Sequence, residues 1–168
     1  MKQKALLAAG LLLAGVALMG LDGGALEGEP GTKDIAAAGE KAVSLGNFSI
    51  SLTVKDLAAS RSFYAKLGLK PVGGDGKTWQ IMQNDNAVIG LFQGMFPKNT
   101  LTFNPGWDRE RKTPLNFEDV RSLQKKFKAL GLTPEPAADE SGTGTAFFVL
   151  TDPDGNPVLF DQHVPAPQ

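Results

Sequence analysis

An α+β domain of two β-α-β-β-β modules, paired into a curved mixed sheet with its helices outside, is the fold class this sequence predicts. Three observations carry that prediction. A strictly alternating run, Phe48–Val54, puts Phe48, Ile50, Leu52 and Val54 on one face and Ser49, Ser51 and Thr53 on the other. Two helical segments repeat, DLAASRSFYAKLGLKP (Asp56–Pro71) and DVRSLQKKFKALGLTP (Asp119–Pro134), at an offset of 63. Each is followed by a short β segment and a hairpin, WQIMQNDNAVIGLF (Trp79–Phe92) and FFVLTDPDGNPVLFDQH (Phe147–His163), so the order of elements repeats as well.

Each element has a local cause. Asp56 and Asp119 are N-cap residues, and Gly68 and Gly131 follow the last periodic positions as helix stops. In the second helix Val120, Leu123, Phe127 and Leu130 step by 3, 4 and 3, which is one buried stripe. Asn84-Asp85-Asn86 turns the first hairpin. Thr-Asp-Pro-Asp-Gly-Asn turns the second, where Pro153 presets φ and Gly155 accepts a positive one. The second copy has the longer loop, Ala137–Gly144. Between the modules, Thr100–Asn104 reads as an additional strand, Asn104-Pro105-Gly106 as a turn and Asp108–Lys112 as a charged loop.

The chain has 168 residues, 42% of them apolar, and a net charge of −1. That suits one domain and gives no basic surface for nucleic acid. With no cysteine and one histidine, His163, disulfides, thiolate chemistry and any site of several imidazoles are excluded. Met1–Lys4 carries two lysines, Ala5–Leu21 no charge, and Gly23-Gly24-Ala25 small residues. This pattern predicts an export signal ending near Ala25 or an uncleaved anchor, with the domain outside the cytoplasm either way. Residues 26–46 read as a tether, 47–163 as the domain and 164–168 as a tail.

SLTVKDLAASRSFYAKLGL and FFVLTDPDGNPVLFDQH together resemble the glyoxalase/bleomycin resistance/dioxygenase (vicinal oxygen chelate) superfamily, over Asn47–His163. The resemblance implies a ligand cavity between curled modules and a homodimer. Metal-dependent members of that family draw their ligands from four places, which carry over to Ser49, Gly90, Lys112 (or Thr113 with a one-residue slip) and Leu159. Gly90 and Leu159 have no donor atom and Lys112 repels a cation, so neither the family metal nor any other cofactor is expected.

Asp161 and His163 share a face of the last strand. They fit a carboxylate–imidazole acid/base pair or a displaced metal site, and the favoured expectation is a solvated strand end. Ser49 and Ser51 fit either a polar stripe in the cavity or a solvent face. Trp79, Gln93, Phe96, Phe103, Asn104 and Trp107 gather around the first hairpin and the inter-module segment, as an apolar ligand pocket with a few polar groups would require. The leading expectation is therefore a domain that binds a small organic molecule without metal. The alternatives are a lyase, isomerase or dioxygenase-like enzyme on Asp161 and His163, and a domain for dimerisation or protein contact alone.

Overall fold

The computed structural model describes residues 43–168; the expected leader and most of the tether lie outside them. Its elements run β1 (Asn47–Val54), α1 (Leu57–Lys66), β2 (Lys70–Gly74), β3 (Trp79–Gln83), β4 (Val88–Gln93), β5 (Thr100–Asn104), α2 (Val120–Ala129), β6 (Ala146–Thr151) and β7 (Pro157–Gln162). The strands form one mixed sheet in the order β2-β3-β4-β1-β5-β7-β6. Asp56 accepts from the Ala59 amide at 2.9 Å, and Asp119 from the Arg121 amide at 2.9 Å. Gly68 and Gly131 sit at φ +87° and +84°, where a Cβ would be strained.

Each module has its own core. Leu57, Leu69, Met82 and Leu91 form one beneath α1; Val120, Leu123, Ala138, Phe148 and Phe160 form the other beneath α2. Full burial of such side chains stabilises by about 1.5–3 kcal/mol each. Leu52 and Val54 of β1 pack on the first core and Phe103 of β5 on the second. In the β1–β5 register Phe48 lies opposite Phe103 and Ile50 opposite Leu101. Facing residues share a side of the sheet, so both helices lie on one side and, among the described residues, the other carries none. Ser49, Ser51, Thr100 and Thr102 belong to the helix-free side.

A glutamine ties each helix to the strand that closes its module. The side-chain oxygen of Gln93, the last residue of β4, accepts from the Leu57 amide at 2.8 Å. That of Gln162, the last residue of β7, accepts from the Val120 amide at 2.7 Å. Gln93 and Gln162 stand 69 residues apart, the offset between Ala87–Leu91 and Asn156–Phe160 in the two hairpins, and Leu57 and Val120 stand 63 apart, the helix offset. Each amide is a first-turn N–H with no partner inside its helix.

Two details depart from the sequence-based expectation. Thr100–Asn104 is no extra strand: as β5 it opens the second module, pairing antiparallel with β1 and parallel with β7. Only Lys55 and Asp56 join β1 to α1, whereas Pro105 to Asp119 join β5 to α2, and this insertion makes the strand and helix offsets differ. Lys112 and Thr113 therefore lie in a connector. The second module also lacks a regular strand after its helix. Two bonds stand in for it, from Glu135 N to Val149 O at 2.8 Å and from Val149 N to Pro136 O at 3.1 Å. Pro134 and Pro136 have no N–H to extend that ladder.

Candidate functional site

The helix-free side is centred on the β1–β5 seam. There the Ser51 and Thr102 hydroxyls are 2.9 Å apart, and Ser51 is 6% exposed. The parallel registers set Ser51 beside Gly90 and Thr102 beside Leu159. The same relation between modules moves the third family position, that of the second module's first strand, from Lys112 or Thr113 to Thr100, on β5. The four places thus hold Ser49, Gly90, Thr100 and Leu159: two neutral hydroxyls and two residues without a donor atom. At Gly90 the space that a side chain would take is filled by the Phe92 ring, with the Ile81 Cδ1 also near. Among the described residues no three His, Cys, Asp or Glu side chains are grouped to hold a metal ion. The residues present do not fit a divalent centre at these positions.

Aromatic side chains form one wing of this face. Trp79 and Phe92, opposite each other on β3 and β4, stack with centroids 6.1 Å apart and planes 5° apart. Phe96 leans on Phe92 at 5.1 Å. On the other wing β7 presents Leu159 and Asp161, facing Val149 and Phe147 of β6. Apolar walls around a few central hydroxyls are the usual composition of a small-molecule site.

Asp161 and His163 do meet. Nε2 of His163 lies 3.1 Å from Oδ2 of Asp161, and the imidazole stacks on Trp107 at 4.8 Å and 27°. The bond to Asp161 raises the His163 pKa above its ordinary value, and partial burial works against it. The ring is half-exposed, so the pair stands at the rim and remains open to solvent.

The other expected site residues separate. Gln93 turns its oxygen onto the α1 terminus. Phe103 packs in the core on the helix-bearing side, stacked on Phe160 at 5.4 Å. Neither faces the hydroxyl pair, because strand alternation and the cap fix them elsewhere. Asn104 is 6% exposed, and its Oδ1 has no hydrogen-bond partner among the described residues. Trp107 joins His163 at the end of the sheet. Thr100 and Thr102 were missed from sequence. Their alternation copies that of Ser49 and Ser51, a signal that becomes legible once β5 is taken as the counterpart of β1.

A family model for the glyoxalase/bleomycin resistance protein/dioxygenase superfamily matches residues 45–160. The chain belongs to that superfamily. A superfamily member from Vibrio splendidus 12B01 is 15% identical, over 69% of this chain and 97% of its own, with a TM-score of 0.49. A structure described as NAD-dependent benzaldehyde dehydrogenase from Legionella pneumophila is 18% identical, over 70% and 99%, with a TM-score of 0.52. An extradiol ring-cleaving dioxygenase from B. fuscum is 24% identical over 69% of this chain but 32% of its own, with a TM-score of 0.45. These likenesses concern the fold alone. No curated protein matches the sequence.

Proposed function

We propose that this superfamily domain binds a small, partly aromatic organic molecule on the helix-free face of its sheet, without a divalent metal. The observation that carries the reading is the composition of the four metal positions: Ser49, Gly90, Thr100 and Leu159, with the Phe92 ring lying over Gly90. A chelating centre needs anionic or imidazole donors there. Instead the seam offers hydroxyls that orient a polar group, and Trp79, Phe92 and Phe96 offer a surface for stacking.

The test uses the Trp107→Phe chain, in which Trp79 is the remaining tryptophan. Its fluorescence is followed against a panel of aromatic alcohols and amides, in EDTA and then with Zn, Ni or Mn. Saturable quenching that is the same in both, and weakened by Ser51→Val and Phe92→Leu, supports the reading. Binding that appears only with a divalent ion refutes it.

The 3.1 Å contact between His163 and Asp161 favours a second reading, an enzyme that uses the pair for acid/base chemistry. A proton-exchange rate on a bound carbonyl compound that falls in His163→Gln with unchanged binding would select it.

A further inference from the structure

The insertion from Pro105 to Asp119 breaks the symmetry of the two modules, and it builds something the first module lacks. Its path is fixed by backbone bonds: Asn47 N to Trp107 O at 2.9 Å, Trp107 N to Asn104 O at 3.2 Å and Asp108 N to Lys112 O at 2.9 Å. Held so, it walls a cleft of about 600 Å³. The facing wall is the apolar side of β1 and β4, with Phe48, Ile50 and Ile89. Phe48 is 46% and Ile50 38% exposed, although Leu52 and Val54 on the same strand face pack beneath α1. Trp107 and Phe117 complete the apolar lining, and Arg109 supplies a cation.

The guanidinium of Arg109 is steadied by its Nη2, which donates to the Asp85 carbonyl. It takes part in no ion pair among the described residues. Asp108 also lines the cleft, but its Oδ1 accepts from the Lys112 amide at 2.8 Å and so closes its own turn. Of the charged run Asp108–Lys112, Asp108 and Arg109 line the cleft, whereas Arg111 reaches away to Gly73 of β2.

We propose that this cleft is a second small-molecule site, on the opposite face of the sheet from the Ser51–Thr102 seam, and that it takes a flat aromatic carboxylate. Its volume lies within the range of ligand pockets, about 300–1,000 Å³. Phe48, Ile50, Ile89 and Phe117 bury the ring, and the planar fork of Arg109 pairs with the carboxylate. The site is independent of the one on the helix-free face, and either stands if the other fails.

The two tryptophans separate the sites. In the full chain with Trp79→Phe, the remaining Trp107 reports on the cleft. Heavy-atom quenching by 4-iodobenzoate is titrated against 4-iodobenzyl alcohol, which lacks the charge. Saturable quenching is expected, about tenfold weaker in Arg109→Gln and about tenfold weaker for the alcohol, as loss of one charged hydrogen-bonded pair predicts. Ile50→Glu, at a position exposed enough to tolerate a carboxylate, abolishes it. Trp79 quenching in the Trp107→Phe chain is unmoved by either variant. Linear quenching of Trp107, or saturation indifferent to both variants, overturns the proposal. So does a loss of quenching with rising protein concentration alongside a dimer in sedimentation, which assigns the cleft to a second copy.

Discussion

Gln162 and Gln93 occupy equivalent places in the two modules, yet their removal is expected to differ severalfold in effect. Gln162 is 1% exposed and makes three bonds: from the Val120 amide at 2.7 Å, to Asp119 Oδ2 at 2.9 Å and to the Val164 carbonyl at 3.0 Å. The bond from the Val120 amide is itself buried, so that amide has no water to turn to once the glutamine is gone. A buried polar group left without a partner costs about 1–3 kcal/mol. The Val120 amide is stranded, and Asp119 and the half-buried Val164 carbonyl each lose a donor, which puts Gln162→Leu at roughly 2–3 kcal/mol. Gln93 is exposed and makes the single bond to Leu57 N. Leu57 is buried as well, but its bond to Gln93 is only partly so, and water replaces much of it in Gln93→Leu, for about 0.5–1 kcal/mol. Urea unfolding of the two variants at pH 7, followed by circular dichroism, measures both. Equal losses, or a loss under 1 kcal/mol for Gln162→Leu, would refute the assignment of the buried glutamine as the tie between β7 and α2.

Other outcomes follow from the site. Gly90→Ala pushes the Phe92 ring off the strand, and overpacking of this kind costs about 1–3 kcal/mol; thermal unfolding and a change in Trp79 emission report it. The His163 pKa, followed by NMR, lies above about 6.5, and Asp161→Asn removes the rise. A histidine raised in the folded state stabilises fully below its unfolded value, near 6.5, and loses that contribution as pH rises through the folded value. Stability that peaks below pH 6.5 and flattens in Asp161→Asn is therefore expected, with a small amplitude because the ring is half-exposed. Phe148→Ala, at a ring 0% exposed and 4.6 Å from the Phe160 ring, should cost about 3–5 kcal/mol in the same unfolding assay.

Much of the fold is legible in the sequence because local rules and the global arrangement agree. Asp56 and Asp119, Gly68 and Gly131, and the alternation of Phe48–Val54 each act where the sequence places them. The order of the strands is not written locally. Thr100–Asn104 reads as an additional strand between the modules because an insertion follows it rather than a helix, and its pairing with β1 reveals it as the second module's first strand. Strand alternation explains Phe103: reading TLTFN in phase with SIS puts Thr100 and Thr102 on one side and Phe103 on the other. Gln93 and Gln162 are harder, since a glutamine that caps a distant helix and one that meets a ligand have the same sequence surroundings; the repeat offset between them is the available clue. The meeting of His163 with Trp107 depends on where the insertion returns to the sheet, and no periodicity encodes that.

The central claim is that the helix-free face binds without a divalent ion, and the metal content of the purified chain tests it most directly. Elemental analysis is paired with thermal shifts on adding Zn, Ni, Mn or Fe, for the native chain and for His163→Ala and Asp161→Ala. Metal well below one equivalent is expected, with no shift on adding any ion in any of the three. One equivalent of metal held by the native chain and lost in both variants would contradict it, and would move the chemistry to the Asp161–His163 end of β7.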